Sequence, residues 1–378
     1  MPLLKISFIR KFILFLAAAM LSVSAMAADF NQVQREANQG VVEAQDALGA
    51  MYYEGEGVRQ DYDKAVEWYT KAANQGLAEA QYNLGNAYYN GEGVRQDYSK
   101  ALELYQKSAN QGDASAQYNL GYMYDEGTGV RQDYAKAVEW YQKAANQGDA
   151  SAQSNLGVMY EKGTGVRQDS TKAVEWFQKA ANQGDASAQY NLGYMYDKGQ
   201  GVRQDYAKAA EWYQKAANQG DADAQSSLGV MYDKGQGVRQ DYAKAVEWFQ
   251  KAADQGNGNA QANLGAMYEY GTGVRQDYAK ALELYQKSAN QGDSSGQRNL
   301  GVMYEYGTGV RQDYAKALEL YQKSANQGDK YAQHYVGTMY EEGDGVEQNI
   351  ITAKEWFGKS CDSGNQDGCE QYRILNLE

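Results

Sequence analysis

The sequence predicts an all-α fold, an α-solenoid of nine helix-turn-helix repeats of 36 residues each, and three observations support this prediction. Apolar residues at helical spacing fill two segments of every repeat, and glycines close each segment. A repeat of this length cannot bury its apolar face alone, so neighbouring repeats must stack. The third observation is the strict period, since an Ala-Gln pair, replaced once by Gly296-Gln297, recurs at Ala44-Gln45, Ala80-Gln81, Ala116-Gln117, Ala152-Gln153, Ala188-Gln189, Ala224-Gln225, Ala260-Gln261 and Ala332-Gln333.

Residues 1–27 have the pattern of a secretory signal peptide. A short basic region precedes an apolar run from Phe12 to Val23, and Ala25-Met26-Ala27 matches the small-residue cleavage pattern. The apolar run is shorter than the ~20 residues of a bilayer span. No Cys follows the cleavage site, so a bacterial lipoprotein is not indicated. We therefore expect a periplasmic or secreted protein that does not insert into the membrane after signal cleavage.

The two ends of the repeat array are predicted to be caps. Residues 28–43 match the end of a repeat, because residues 37–40 and 73–76 share the sequence Ala-Asn-Gln-Gly, and we assign them to an N-terminal capping half-repeat. Nine repeats then occupy residues 44–367, and residues 368–378 form a C-terminal capping segment. The last repeat departs from the others, with Glu347 in place of the turn arginine, as expected where one face meets water.

The first segment of each repeat, helix A, has apolar residues at Ala44, Leu48, Met51 and Tyr52, an i, i+4, i+7, i+8 spacing that only an α-helix places on one face. Gly49 lies inside this helix, where glycine costs about 1 kcal/mol relative to alanine. Because this glycine recurs in every repeat, we expect another helix backbone to approach too closely there for a Cβ.

The turns carry start and stop signals. Helix A is predicted to end at Gly55 in a G-x-G turn, and Asp61 is predicted to cap the second helix, helix B, which Gly76 closes. The short connections make the helices of each pair antiparallel neighbours. The N-caps of later A helices are predicted to be Asp113, Asp149, Asp185, Asp221, Asp293, Asp329, Asn257 and Asn365.

The composition limits the classes of function. The formal net charge is −13, and an acidic chain repels phosphate backbones, so nucleic acid and anionic membranes are not expected partners. The single histidine, His334, occupies a variable position, and we interpret it as a surface residue. No Gly-Lys-Ser/Thr follows the G-x-G turns, which therefore favour helix ends over phosphate loops. We predict no catalytic residues, no metal site and no cofactor.

The repeat AxAQxNLGxMYxxGxGVRQDYxKAxEWYxKAANQGD closely resembles the Sel1-like repeat, a relative of the tetratricopeptide repeat. The resemblance covers essentially all of the chain after residue 27. It implies a right-handed superhelix with helix A on the concave inner face, in proteins that act as adaptors, scaffolds or binders of other proteins. The family often has Pro in the turn where this chain has an arginine, and this difference loosens the turn without changing the fold.

The last repeat also resembles the cysteine-rich Sel1-type proteins of a gastric pathogen, in which two cysteines eight positions apart join helix B to the next helix A. Cys361 and Cys369 have this separation, and the resemblance implies a disulfide between them. Two cysteines in an exported chain most often pair. The alternatives are a thiol redox pair and metal ligands, but the C-x-x-C spacing and the further ligands typical of these are missing.

Four positions of helix A differ strongly between repeats, at i, i+4, i+7 and i+8 on the side opposite the apolar stripe. If helix A lines the concave face, these residues form its surface, and tyrosine is common in binding hot spots. The alternative is that these rings only cover neighbouring helices. The candidate partner-binding residues are Tyr82, Tyr118, Tyr122, Tyr190, Tyr194 and Arg298.

The turns also place one arginine per repeat along one edge. These side chains could hold an anionic partner, but we expect each to pair with nearby Asp or Glu and to stay solvated. The arginines are Arg59, Arg95, Arg131, Arg167, Arg203, Arg239, Arg275 and Arg311.

The favoured function is an exported scaffold or adaptor, monomeric, that binds a protein or peptide partner in its concave groove, in envelope function or host interaction. The resemblance permits a host role, since some exported family members bind host proteins such as secretory immunoglobulin. One alternative is a weak β-lactamase or penicillin-binding enzyme of the cysteine-rich type, although no serine fits the S-x-x-K pattern, and a nitrocefin turnover assay would discriminate. The other alternative is a structural spacer.

Overall fold

The computed structural model describes residues 29–376, and the predicted signal peptide lies outside the described residues. Helix α1 covers residues 29–38, and no residue from 29 to 376 lies in a β-strand. The A helices of the nine repeats are α2 Val42–Glu54, α4 Ala78–Asn90, α6 Ala114–Glu126, α8 Ala150–Lys162, α10 Ala186–Lys198, α12 Ala222–Lys234, α14 Gly258–Tyr270, α16 Ser294–Tyr306 and α18 Lys330–Glu342. The B helices are α3 Tyr62–Asn74, α5 Tyr98–Asn110, α7 Tyr134–Asn146, α9 Ser170–Asn182, α11 Tyr206–Asn218, α13 Tyr242–Asp254, α15 Tyr278–Asn290, α17 Tyr314–Asn326 and α19 Ile350–Asp362, and α20 Gln366–Ile374 follows them.

The described helices belong to two compact units. Unit 1 comprises residues 29–183 with α1 to α9, and unit 2 comprises residues 184–376 with α10 to α20. Within each unit, every A helix packs against the B helix of its own repeat, and that B helix packs against the next A helix. Stacking of helix pairs in chain order defines an α-solenoid. The predicted all-α solenoid of helix pairs is therefore confirmed for each unit.

Helix α6 shows how the apolar spacing produces the core. Leu120 and Met123 are fully buried, and they pack in one cluster with Ala101 and Tyr105 of the preceding α5. Burying a side chain of this size contributes about 1.5–3 kcal/mol. Because the cluster joins two successive repeats, neither repeat could form this core by itself.

The recurring glycine of helix A lies against an aromatic ring. A Cβ added to Gly121 would come within 2.7 Å of Tyr141 Cδ1 in α7, closer than carbon atoms approach without bonding. Gly49 and Tyr69 repeat this contact in the first repeat. A close approach was expected at this position, but the neighbour is an aromatic side chain of helix B and not a helix backbone.

The turn signals act as the sequence predicts, with one exception. Gly127 ends α6 in the left-handed conformation, with φ +73°, and its N–H donates to Met123 O. Asp133 Oδ1 accepts from Lys136 N and so caps α7, and Asp113 caps α6 in the same way. The prediction for Asn365 is wrong, because its side chain does not cap α20. Its Nδ2 instead donates to Ser360 Oγ, 3.0 Å away in α19.

A glutamine ladder joins consecutive repeats. Gln117 Nε2 donates to Ala109 O at the end of the previous B helix, and Gln117 Oε1 accepts from Gln147 Nε2, 2.8 Å away. The second bond recurs at 30-residue separation between Gln75 and Gln45, Gln111 and Gln81, Gln183 and Gln153, Gln219 and Gln189, Gln255 and Gln225, Gln291 and Gln261, and Gln327 and Gln297. The Ala-Gln pair and the Asn-Gln-Gly end of helix B are thus two halves of one junction.

The last repeat lacks one half of this junction. Ser363 occupies the position of the second glutamine, and Gln333 Oε1 is buried without a hydrogen-bond partner among the described residues. Cys361 at the end of α19 is joined to Cys369 in α20 by a disulfide, the pairing that the resemblance implies. The final helix is therefore held covalently where the hydrogen-bonded junction is incomplete.

Candidate functional site

The variable positions of helix A form one side of each A helix. Counted from the alanine of the Ala-Gln pair, they are positions three, seven, ten and eleven, which in α6 are Tyr118, Tyr122, Asp125 and Glu126. These four side chains are partly or fully exposed, whereas Leu120 of the same helix is buried. We call this surface of each unit the A face.

In unit 1 the predicted tyrosines take two kinds of place. Tyr82 and Tyr118, at position three, are half-buried and pack on the B-helix rings of Tyr105 and Tyr141, with ring centroids 6.0 and 5.8 Å apart. Tyr122, at position seven, is 38% exposed. One face of each position-three ring is therefore packed against a neighbouring helix, whereas the ring of Tyr122 is partly exposed to solvent.

In unit 2 each of the three predicted residues contacts another side chain. Tyr190 packs on Tyr213 with centroids 5.7 Å apart, and the ring of Tyr194 lies 5.7 Å from Lys198 Nζ. Arg298 Nη1 donates to Asp329 Oδ2 in an ion pair that leaves the arginine side chain 21% exposed. The structure places three candidate residues in each unit, and Arg298 is the one already held by a carboxylate.

A cavity of about 290 Å³ opens on the A face of unit 1 between α4 and α6. Asn86 Oδ1, in its wall, accepts from Tyr105 OH at 2.6 Å and from Asn119 Nδ2 at 3.3 Å. Burial raises the pKa of Tyr105, so its phenol stays neutral. The lining contains no ionisable carboxylate or amine and consists of Asn86, Tyr89, Asn90, Tyr105, Tyr118, Asn119 and Tyr122. We call it the neutral cavity.

The next A-face cavity of unit 1, of about 290 Å³ between α6 and α8, has a charged lining that includes Asp125, Glu126 and Lys162. Tyr141 OH donates to Asp125 Oδ2 at 3.3 Å, and burial raises the pKa of this carboxyl. No ion pair within 4 Å involves Lys162 in the described part of the chain. We call this the acidic cavity, because two carboxylates face one ammonium group.

The corresponding cavity in unit 2, of about 420 Å³ between α10 and α12, has the opposite balance. Its lining contains one carboxylate, Asp197, and two ammonium groups, Lys198 and Lys234, and Lys198 Nζ is 2.7 Å from Asp197 Oδ2. Equivalent positions in different repeats thus give these two cavities different charges.

The sequence reasoning missed several residues of this surface. Asn86, Asn119 and Tyr89 line the neutral cavity, and Tyr270 and Tyr306, at position eleven in unit 2, are 71% and 69% exposed. Asn119 stands at position four, which was not among the variable positions, although an asparagine that recurs inside helices is unfavourable for helix propensity and was a usable signal. Asn86, Tyr89, Tyr270 and Tyr306 stand at positions seven, ten and eleven, which the sequence already identifies as variable.

Position three of the first repeat carries a buried acid. Asp46 is 7% exposed, and burial raises its pKa to about 6, while the hydrogen bond from Asn83 Nδ2 at 3.1 Å opposes this shift. Glu79 lies close enough to raise the pKa further. The A face of unit 1 therefore begins with a carboxyl group that is costly to ionise.

The interpretation of His334 as a plain surface residue is wrong. The ring is half-buried 5.3 Å from the ring of Phe357, and its Nδ1 atom is buried without a hydrogen-bond partner among the described residues. Burial lowers the pKa of His334, because the charged imidazolium would be poorly solvated there. The side chain therefore belongs to the packing of the last repeat.

The turn arginines are solvated but not paired. All eight are exposed, and within residues 29–376 none has a carboxylate within 4 Å, so the expected pairing with Asp or Glu is wrong. Nor does any group of three or more His, Cys, Asp or Glu side chains in these residues have a geometry that could hold a metal ion. None of the described helices has the length and apolar character of a membrane span.

Stacked helix pairs with a variable exposed side define the class of α-solenoid repeat scaffolds. The chain belongs to the Sel1 repeat family. The family model matches it in nine consecutive segments, residues 42–77, 78–113, 114–149, 150–185, 186–221, 222–257, 258–293, 294–329 and 330–365.

Two solved structures illustrate the relationship. A protective antigen present in uropathogenic Escherichia coli strains, with the Sel1-like repeat fold, is 34% identical over 92% of this chain and 90% of that chain, with a TM-score of 0.58. A Sel1 repeat protein from Oxalobacter formigenes is 35% identical over 65% of this chain and 96% of that chain, with a TM-score of 0.60. No curated protein matches the chain.

Proposed function

We propose that this protein is an exported scaffold that binds a protein or peptide partner through its A face. The observation that carries the proposal is the neutral cavity, where tyrosine rings and asparagine amides meet in a solvent-open site between two repeats. Small pockets lined by aromatic rings with a few polar groups are typical of binding sites. Tyr122 adds a ring that the fold does not bury.

The B helices provide a contrast that favours the A face. In these helices the ring centroid of half-buried Trp68 lies 3.5 Å from Lys71 Nζ, and that of buried Trp140 lies 3.6 Å from Lys143 Nζ. A lysine ammonium group above an indole ring is attracted to the ring face in a cation–π contact. These two indoles thus already have a local partner.

Export is part of the proposal. It rests on the signal-peptide pattern of residues 1–27. The Escherichia coli relative is described as a protective antigen, which favours an exposed location for this chain as well. Expression of the full-length chain in a Gram-negative host should give a periplasmic product that begins at Ala28 by mass spectrometry. A product that keeps residues 1–27 in the cytoplasm would contradict this part of the proposal.

Partner binding can be tested with variants taken from the chain's own repeats. Tyr118→Ser and Tyr122→Val introduce the residues of α8, and Tyr190→Ser and Tyr194→Val introduce those of α12. The purified fourfold variant should keep the helical circular dichroism of the wild type and lose capture of binding partners from periplasmic extract and host secretions.

The matched control is Trp68→Leu on a B helix, a half-buried position, which introduces the residue found at Leu104. We expect this variant to capture partners as the wild type does. If the folded fourfold variant retains full capture, the A face is not the binding surface.

A further inference from the structure

The two A-face cavities of unit 1 differ in charge although they lie one repeat apart. The neutral cavity is lined only by tyrosine and asparagine, and the acidic cavity has Asp125 and Glu126 against Lys162. The two are adjacent in the structure, since α6 lines both, with Tyr122 in the wall of the neutral cavity and Asp125 and Glu126 in the wall of the acidic cavity about one helical turn later. One extended ligand can therefore contact both.

We infer that unit 1 binds an extended peptide segment that carries an uncharged aromatic side chain and, three residues away, a Lys or Arg. This inference rests on the proposed function and specifies the ligand of its A face. The aromatic side chain occupies the neutral cavity, and the basic side chain lies in the acidic cavity.

The chemistry of the neutral cavity selects the first group. A charged side chain would lose water there without gaining a counterion, which is costly. An aromatic ring instead gains contact with Tyr89, Tyr118 and Tyr122, and offset or edge-on ring pairs add to the burial of apolar area. Asn86 Nδ2, for which no described residue is an acceptor, can donate to a peptide carbonyl group.

The acidic cavity selects the second group. Glu126 is exposed and Asp125 is half-buried, and no ion pair within 4 Å joins either carboxylate to Lys162 in the described residues. A guanidinium or ammonium group there would complement the excess negative charge. A neutral sugar could fill the first cavity but has no cation for the second, so a peptide fits the pair of cavities better.

The separation of the cavities sets the spacing of the motif. Neighbouring packed helices lie about 8–10 Å apart. An extended chain advances about 3.3 Å per residue, so about three residues connect the two cavities. In unit 2, the corresponding cavity has two lysines and one aspartate, which predicts no preference for a basic side chain there.

The test uses the full exported chain and fluorescently labelled decapeptides, with binding followed by anisotropy at low and at physiological salt. The reference peptide has Phe and Arg separated by two residues, and companion peptides replace Phe by Glu, replace Arg by Ala, or place Phe and Arg next to each other. We expect each change to weaken binding about five-fold or more.

The protein variants again use residues that the chain tolerates at the same positions. Tyr122→Val, as in α8, should weaken every aromatic peptide about ten-fold. Glu126→Lys, as at Lys198, should leave the Phe contact intact and remove the preference for Arg over Ala. Glu247→Lys on the surface of α13 in unit 2 changes the charge equally and should have no effect.

Equal binding of all companion peptides, an unchanged Arg preference in Glu126→Lys, or binding of a neutral oligosaccharide in place of the peptides would overturn the inference. If these results come with partner capture that still depends on the A-face tyrosines, the proposed function stands and only the ligand assignment fails. If capture is also independent of those tyrosines, both fail.

Discussion

At position eleven of helix A, the chain places Glu126, Lys198 and Tyr270 on equivalent backbone sites in different repeats. The surrounding core residues are the same, so each substitution changes the surface without changing the fold. A repeat protein can therefore alter its binding chemistry by single side chains, because stability depends on contacts between neighbouring repeats that these side chains do not make.

Asp46 is the residue whose environment opposes its charge most clearly. Burial raises its pKa from 3.8 to about 6, so the native state binds a proton more tightly than the unfolded state between these pH values. Above pH 6 the ionised carboxyl lowers the free energy of unfolding by up to about 3 kcal/mol, and solvent screening reduces this to about 1–2 kcal/mol. Below pH 4 the penalty disappears.

Asp46→Asn should therefore stabilise the first repeat at neutral pH, because the amide keeps the hydrogen bond from Asn83 and carries no charge. We expect hydrogen-exchange protection in α2 and α3 to rise by the equivalent of about 1–2 kcal/mol at pH 7. The gain should shrink to near zero at pH 4. An equal gain at both pH values would show that burial of charge is not its cause.

Within one element, the helix A glycine fixes how closely helix B can pack. Gly121→Ala would place a Cβ 2.7 Å from the ring of Tyr141, and the ring has no space to retreat because it is fully buried. We expect a loss of about 1–3 kcal/mol in the free energy of unfolding, measured by urea titration.

Gly258→Ala is the matched control for that substitution. The added Cβ would be 3.5 Å from its nearest neighbour, an ordinary contact, and other A helices begin with alanine at this position, as α12 does at Ala222. Alanine is the better helix former. This variant should be neutral or slightly stabilising, and similar losses for both glycines would refute the steric argument.

The last junction can be completed by one substitution. Ser363→Gln restores the residue that donates to the helix A glutamine in the other repeats. Its acceptor would be Gln333 Oε1, which is buried and has no hydrogen-bond donor among the described residues. A hydrogen bond to such an acceptor contributes about 1 kcal/mol. Protection of α18 and α19 in hydrogen exchange should increase in Ser363→Gln and stay unchanged in Ser363→Ala, and equal values would contradict the role of this bond.

For the whole chain, we expect the fold to tolerate deletion of one complete 36-residue repeat but not of part of a repeat. Removal of residues 222–257 joins Asp221 to Gly258, which keeps an aspartate N-cap at the new junction and leaves the glutamine pairs of the remaining repeats unchanged. We expect a folded protein whose helical circular dichroism per residue equals that of the parent. Removal of residues 222–239 alone leaves helices out of register and should give an unfolded or aggregated chain.

Much of the fold follows from the sequence. Helix pairs, turn glycines and aspartate caps are local features, so the spacing around Leu120, Gly127 and Asp133 was enough to predict them. The family resemblance supplied the pairing of Cys361 with Cys369. Local patterns could not indicate that Gly121 makes room for Tyr141, because this contact joins two helices whose relative rotation depends on packing.

The candidate site divides in the same way. Variation between repeats identified Tyr118 and Tyr122, since differences at otherwise identical positions are visible in the sequence itself. The tertiary structure showed that Asn86, Tyr89 and Asn119 complete the neutral cavity, that Arg298 is held by Asp329, and that His334 is packed against Phe357. The sequence therefore determined the repeat and its exposed side, and the packing of the helices decided which side chains meet there, because those contacts join residues on different helices, such as Asn119 and Asn86, which are 33 positions apart.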